Sequence, residues 1–289
     1  MNPKYSIYII SKGRADSRLT SKTLEYMKVP YKIVIEAQEY DAYAAVIDPK
    51  KILILPEGFR NNSNLARADA AGNVGGSIPV RNWVWEYSIS QGEEKHWLMD
   101  DNINLFFRLN RNLKVPVSDG TIFRLMEMFT DRYKDIAFSG PNYFMFASRK
   151  SKDIKPYIIN TRVYSCTLIN NSIPIRWRGK YNEDTDICLR ALKMDYRTIL
   201  FSAFLQGKAT TMTVKGGNTD EVYVDGDNRM KFAKSLQEQH PDLVEIVWKF
   251  NRWHHSVNYR PFKRNKLIRE AGIIVKEGIN NHGMRLIKL

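Results

Sequence analysis

Residues 5–100 interleave short, compact apolar runs with helix-patterned stretches, and this alternation restricts the chain to few folds. The runs are Tyr5–Ile10, Tyr31–Ile35, Ile52–Leu55 and His96–Met99, bounded by polar residues or by Pro30, Pro49 and Pro56. Helical patterns fill Ser17–Met27 and Val80–Gln91. Strands that are apolar throughout are covered on both faces, as in parallel sheets with crossover helices. The pattern therefore predicts an α/β fold with a mixed, mainly parallel sheet flanked by helices. In such sheets ligands sit at the carboxyl ends of the strands. Ser11-Lys12-Gly13-Arg14, directly after the first run, is thus a candidate lip of a site. The Asn-, Ala- and Gly-rich stretch 58–79 is a loop that either covers a ligand or only connects two elements.

The second half is more mixed. Ser118 is placed to cap a helix reaching Tyr133, with Ile122, Leu125, Met126 and Phe129 on one face. Strands are expected at Ile136–Phe138, Tyr143–Ala147 and Val163–Ile169, and a helix from near Glu183. Pro241 fits the first turn of a last helix with Leu243, Val244, Val247 and Phe250 inward. No internal repeat or low-complexity linker occurs, so both halves are expected to share one sheet. We divide the chain into a catalytic domain, 1–247, with halves meeting at residue 110, and a C-terminal extension, 248–289. The 289 residues, 43% of them apolar, are enough for a sizeable core. The two cysteines, Cys166 and Cys188, lack metal-ligand spacing and suit a reducing compartment. The N-terminus reads as a first strand rather than a signal peptide, and no apolar run is long enough to span a bilayer. A cytoplasmic protein with no membrane partner is the expectation.

Two acidic constellations carry chemistry. In HWLMDDNI, residues 96–103, an apolar strand delivers Asp100 and Asp101 at its end. Paired carboxylates there need a compensating partner, and a hard cation such as Mg²⁺ or Mn²⁺ is one. An exposed acidic turn is the other reading. In KYNEDTDICLRAL, residues 180–192, Glu183, Asp184 and Asp186 crowd the first turn of a helix. The helix dipole favours carboxylates there, but three exceed what capping needs, and crowding suits a general base.

The two motifs, about 80 residues apart, resemble the GT-A glycosyltransferases over residues 1 to about 215. The family's third D-x-D position is Asn102 here. YIISKGRADS, WLMDDNI, NEDTDICLRAL and the later TVKGGN resemble, more narrowly, the phage TET/JBP-associated glycosyltransferases, which modify hydroxymethylated pyrimidines in DNA. The resemblance implies a GT-A-like (Rossmann-like) fold and a metal-dependent hexosyltransferase of the inverting type. A UDP-sugar donor would lie near Ser11, Lys12, Arg14, Asp100 and Lys215, and a Mn or Mg ion on Asp100, Asp101, Asn102 and His254. Asp184 would be the base, with Glu183 and Asp186 shaping its pKa or orienting the sugar. The acceptor would be 5-hydroxymethylcytosine or 5-hydroxymethyluracil in DNA.

Charge supports a polyanionic partner independently. The chain carries a net charge of +14. From Trp248 onward ten Lys and Arg face only Glu270 and Glu277, a surplus of eight. Arg252, Arg260, Lys263, Arg264 and Lys266 are interleaved there with Trp253, Tyr259 and Phe262. Cations that grip phosphates and aromatics that stack on bases suit nucleic acid, and a basic tail packed on the body is the alternative. A protein or glycan acceptor, a two-metal nuclease built on Asp100, Asp101, Glu183 and Asp184, and a catalytically dead nucleic-acid binder also stay open.

Overall fold

A computed structural model describes residues 1–110, 112–148, 154–209, 228–274 and 278. The first third follows the expected alternation. It contains β1 (Ile7–Ile10), α1 (Leu19–Tyr26), β2 (Lys32–Ile35), α2 (Tyr40–Ala44), β3 (Ile52–Ile54), α3 (Ile78–Ser90) and β4 (Lys95–Asp100). Then come β5 (Ile103–Asn110), β6 (Leu113–Pro116), α4 (Thr121–Thr130), β7 (Tyr133–Lys134), β8 (Ile136–Tyr143), β9 (Tyr157–Ile159) and β10 (Cys166–Asn170). The remainder is α5 (Glu183–Lys193), β11 (Arg197–Lys208), α6 (Arg229–Gln239), β12 (Val244–Lys249), β13 (Arg252–Val257) and β14 (Ile268–Arg269). No helix among the described residues is long and apolar enough to cross a membrane.

Among the described residues ten strands form one mixed sheet in the order β3-β2-β1-β4-β10-β8-β11-β5-β6, with β9 also on β11. The strands of β3-β2-β1-β4 are parallel. The chain winds outward from β1 to β3 and returns to lay β4 on the other side of β1. That reversal is a topological switch point, where α/β sheets open a crevice at their carboxyl edge. Ile10 pairs with Asp100, so Ser11 and Asp101 leave the sheet level with each other.

The continuous apolar runs are explained by burial on both faces. Ile7 and Ile9 of β1 and Trp97 and Met99 of β4 enter one core with Leu24 of α1 and Phe123 and Met126 of α4. Tyr8, Ile10 and Leu98 enter the opposite core with Val84 and Trp85 of α3 and Ile187 and Cys188 of α5. A third cluster joins Leu189, Leu192, Leu236, Leu243, Val244 and Phe262.

Three expectations fail. α4 is preceded by Gly120 rather than capped by Ser118, and it ends at Thr130, with Tyr133 already in β7. After β8 the chain turns into a 3₁₀ segment at Phe144–Phe146, so Tyr143–Ala147 is not a strand. The helix expected from Pro241 is β12, paired antiparallel with β13. Leu243, Val244, Val247 and Phe250 do have helical spacing, but VEIVWK is rich in β-formers and finds a cross-strand partner, which overrides a short period. Pro241 instead follows the end of α6, since the residue before a proline disfavours the helical region. Residue 247 thus lies inside β12.

Gly140 of β8 has no room for a side chain. A Cβ there would run into the Cys166 carbonyl oxygen and the Val163 side chain. Gly140→Ala is expected to cost about 1–3 kcal/mol, the usual range for overpacking, read as a lower Tm in thermal denaturation.

Candidate functional site

The switch point opens into a cleft enclosing ≈ 740 Å³ of empty space, its open mouth included. Its lining comes from the ends of all four parallel strands: Ile10–Lys12 and Arg14 after β1, Glu36 after β2, Leu55 after β3, and Asp100–Asn102 after β4. The Gly-rich loop adds Phe59, Arg60, Gly76 and Ser77, α3 adds Val80 and Arg81, and α5 adds Glu183. The loop 58–79 therefore does more than connect. It is held by buried Asp69, whose Oδ1 accepts from the Ala71 and Asn73 backbone N–H groups.

Thr20, in the first turn of α1, fixes the aspartate turn. Its hydroxyl donates to the Asp100 carbonyl (2.6 Å) and accepts from Ile103 N–H (2.9 Å). The two aspartates then diverge. Asp101 points inward, accepting from Ser11 Oγ at 2.8 Å and from Arg14 Nη1. Burial raises its pKa despite Arg14, and its contacts tie the lip to β4. Asp100 accepts from Arg81 Nη2 at 2.9 Å and Lys208 Nζ at 2.7 Å. Burial opposes ionisation of Asp100, but Lys208 and Arg81 outweigh it and hold its carboxyl far below the usual range.

Arg81 is the hub. It is 4% exposed, and it also lies 3.7 Å from Glu183 Oε1 and 3.8 Å from Asp184 Oδ1. Ser77 accepts from Arg81 Nε and donates to Glu183, linking α3 to α5. Burial pushes Asp184 up to about 7; Glu183 and Asp100 add repulsion, and Arg81 opposes the rise. A carboxylate poised near neutrality at the start of a helix is suited to accept a proton. Tyr164 and Tyr143, ring centroids 4.2 Å apart, feel the charge of Asp184, and Tyr143 OH shares Ser165 Oγ with Lys208.

The structure thus gathers Ser11, Lys12, Arg14, Asp100, Asp101, Asn102 and Glu183 around one cleft, with Asp184 behind Arg81. Asp186 is elsewhere. It is buried among Arg178, Arg190 and His240 Nε2, at 2.9, 2.9 and 3.0 Å. Burial works against its ionisation, but the His240 hydrogen bond and the two guanidiniums hold it down to about 2. It is a tie between helices, and Arg178 of the RGK turn is spent on it. His254 belongs to β13, where Arg252 Nε donates to its Nε2 at 3.0 Å; it does not line the cleft. Arg252, Arg260, Lys263, Arg264 and Lys266 are all exposed. Lys215 and the TVKGGN stretch lie outside the described residues. Arg81 and Lys208 carry no sequence motif. The one signal for Arg81 is a lone cation in the apolar helix IPVRNWVWEYSIS.

Among the described residues no three His, Cys, Asp or Glu side chains group to hold a metal ion. Asp100 and Asp101 each already use both oxygens on hydrogen bonds that include a cation of the chain. A divalent ion on Asp100 would sit against Lys208 and Arg81. The residues as arranged do not fit one.

A polar cleft at the switch point of a mixed α/β sheet, with Asp184 next to it behind Arg81, defines a ligand site of the α/β type. The chain belongs to the TET-Associated Glycosyltransferase family, whose model matches residues 5–217. It is a glycosyltransferase, with a sugar donor and an acceptor. No curated protein matches it.

The two helical aspartates are expected to respond differently. If Asp184 must be deprotonated, kcat should fall about tenfold per pH unit below pH 7 and level off above it, and Asp184→Asn should lower kcat by about 10²-fold or more. Asp186→Asn should leave the pH profile in place and reduce stability by on the order of 3 kcal/mol, because two half-buried guanidiniums lose a fully buried charge partner. Steady-state pH profiles and denaturant melts separate the two.

Proposed function

We propose that the protein transfers a sugar from a UDP-sugar to the hydroxymethyl group of 5-hydroxymethylcytosine or 5-hydroxymethyluracil in DNA. The observation that carries this reading is Asp184, pushed up to about 7 and joined by Arg81 to the floor of a switch-point cleft. In this reading the nucleotide lies across the ends of β1 to β3, and its diphosphate faces Lys12, Arg14, Arg60 and Arg81. Asp184 takes the proton of the acceptor hydroxyl, and the oxygen attacks the anomeric carbon. The bond from that carbon to the diphosphate oxygen breaks, with inversion, and UDP departs with the electron pair. Fixed guanidiniums facing the leaving group stabilise its charge without reorganising, which is where preorganised electrostatics acts most strongly. The aspartates are already neutralised by Arg81, Lys208 and Arg14, so this reading assigns the metal's role to side-chain cations.

The DNA acceptor is supported by the exposed cations at Arg252, Arg260, Lys263, Arg264 and Lys266. It is also supported by the path that joins their segment to the acid cluster: His255 Nε2 lies 3.4 Å from Arg162, which stands over the Tyr164 ring. A duplex acceptor must extrude its base to reach Asp184, at a cost of about a few kcal/mol.

Incubating the chain with a panel of UDP-sugars and hydroxymethylated or plain DNA, then weighing the digested nucleosides, should reveal a hexose adduct on the hydroxymethylated base only. Adducts on plain DNA, or none with any donor, would sink the reading. Excess EDTA should leave UDP affinity and transfer unchanged; loss restored by Mn²⁺ would return the metal to the site. Changing Arg260, Lys263 and Arg264 together to Ala should flatten the salt dependence of DNA binding by up to about three units, roughly one per phosphate contact. Donor hydrolysis should survive that change.

A further inference from the structure

The β12–β13 hairpin is anchored at its base and exposed at its tip. At the base, Leu243 and Val244 enter the third core with Leu236 and Phe262, and Val257 packs against it. At the tip, Trp248 and Trp253 stand directly opposite each other, ring centroids 5.1 Å apart, 56% and 37% exposed. Phe250, in the turn, is 86% exposed.

Three features of this tip burden the isolated fold. Phe250 and Asn251 both take positive φ, 52° and 55°, the geometry of a two-residue turn that favours Asn and Gly; a bulky aromatic there is strained. Lys249 pairs with Arg252 across the strands, and like charges in direct opposition repel. The three aromatic rings leave much of their apolar surface in water. A partner that is both polyanionic and furnished with flat apolar groups offsets all three, and nucleic acid has that chemistry.

We propose that residues 248–253 form a wedge for duplex DNA, with Phe250 entering the base stack beside the acceptor nucleotide and Lys249 and Arg252 meeting the flanking phosphates. The wedge rests on the reading of DNA as acceptor. The adjoining strand residue His255 reaches Arg162 and through it Tyr164, on the acid-cluster side of the molecule. In this proposal the displaced base would swing to that side of the molecule. The rings alone would also suit a lipid surface, but that link to the acid cluster favours the acceptor.

The test uses the full chain and Phe250→Asn, a residue that the turn favours, so the hairpin should persist and Tm should hold or rise. Transfer to a hydroxymethylated duplex is expected to drop about tenfold or more, as for a lost base-stacking contact, while transfer to the same sequence as a single strand stays unchanged. A 2-aminopurine beside the target base should brighten when the wild-type chain binds the duplex and stay dim with the variant. Equal rates on duplex for both proteins, or equal losses on duplex and single strand, would overturn the wedge. So would an unchanged 2-aminopurine signal accompanied by Phe250-dependent binding to vesicles of phosphatidylserine and phosphatidylcholine. The fluorescence readout needs no sugar transfer. A wild-type chain that unstacks the duplex yet glycosylates nothing therefore counts against the acceptor reading and leaves the wedge standing.

Discussion

One buried guanidinium organises the site. Arg81 stands between the end of β4 and the start of α5, within 4 Å of carboxylates from Asp100, Glu183 and Asp184. Three acids crowded in a poorly solvated corner would drive one another neutral or push the helix away. With the guanidinium among them, Asp100 stays ionised while Asp184 remains suspended near neutrality. Removing Arg81 would take the nearest cation from Glu183 and Asp184 and leave Asp100 to Lys208 alone. The cleft and the acid cluster are thus one electrostatic unit, assembled from elements about 100 residues apart.

The same helix shows how environment divides identical side chains. Asp184 and Asp186 are two positions apart, so on a helix they point to nearly opposite sides. One meets a single shared guanidinium and two repelling acids; the other meets two guanidiniums and a histidine. Their pKa values separate widely as a result, Asp184 raised and Asp186 lowered, because environment and not residue type sets them. Composition and spacing make the two equivalent; only the partners on either side of α5 distinguish them.

This explains what was readable in the chain and what was not. Local patterns held where one period dominated: the apolar runs became β1 to β4, and α5 opens at Glu183 as the acidic first turn implied. The aspartate turn and the Ser11–Arg14 lip met because both follow parallel strands in register, which the alternation already implied. Arg81 and Lys208 were invisible for the opposite reason. Each is an ordinary cation locally, and its role comes from contacts across 19 and 108 residues to Asp100. Pro241 misled because a short apolar spacing suits a helix as well as a strand, and the partner strand decided between them.

The C-terminal segment, as far as its described residues go, is stitched into the body. Asn160 donates to the carbonyls of both Phe262 and Asn265, Arg197 Nε donates to the Lys266 carbonyl, and β14 pairs with β7. Phe262 fills a core that α5 and α6 also line. A surface built this way is not a cassette. It cannot be trimmed off or exchanged between proteins without opening the core beneath it. Divergence in what the enzyme grips is therefore confined to single replacements on the outward side of the hairpin and strap, while the inward side is constrained by the stability of the catalytic body.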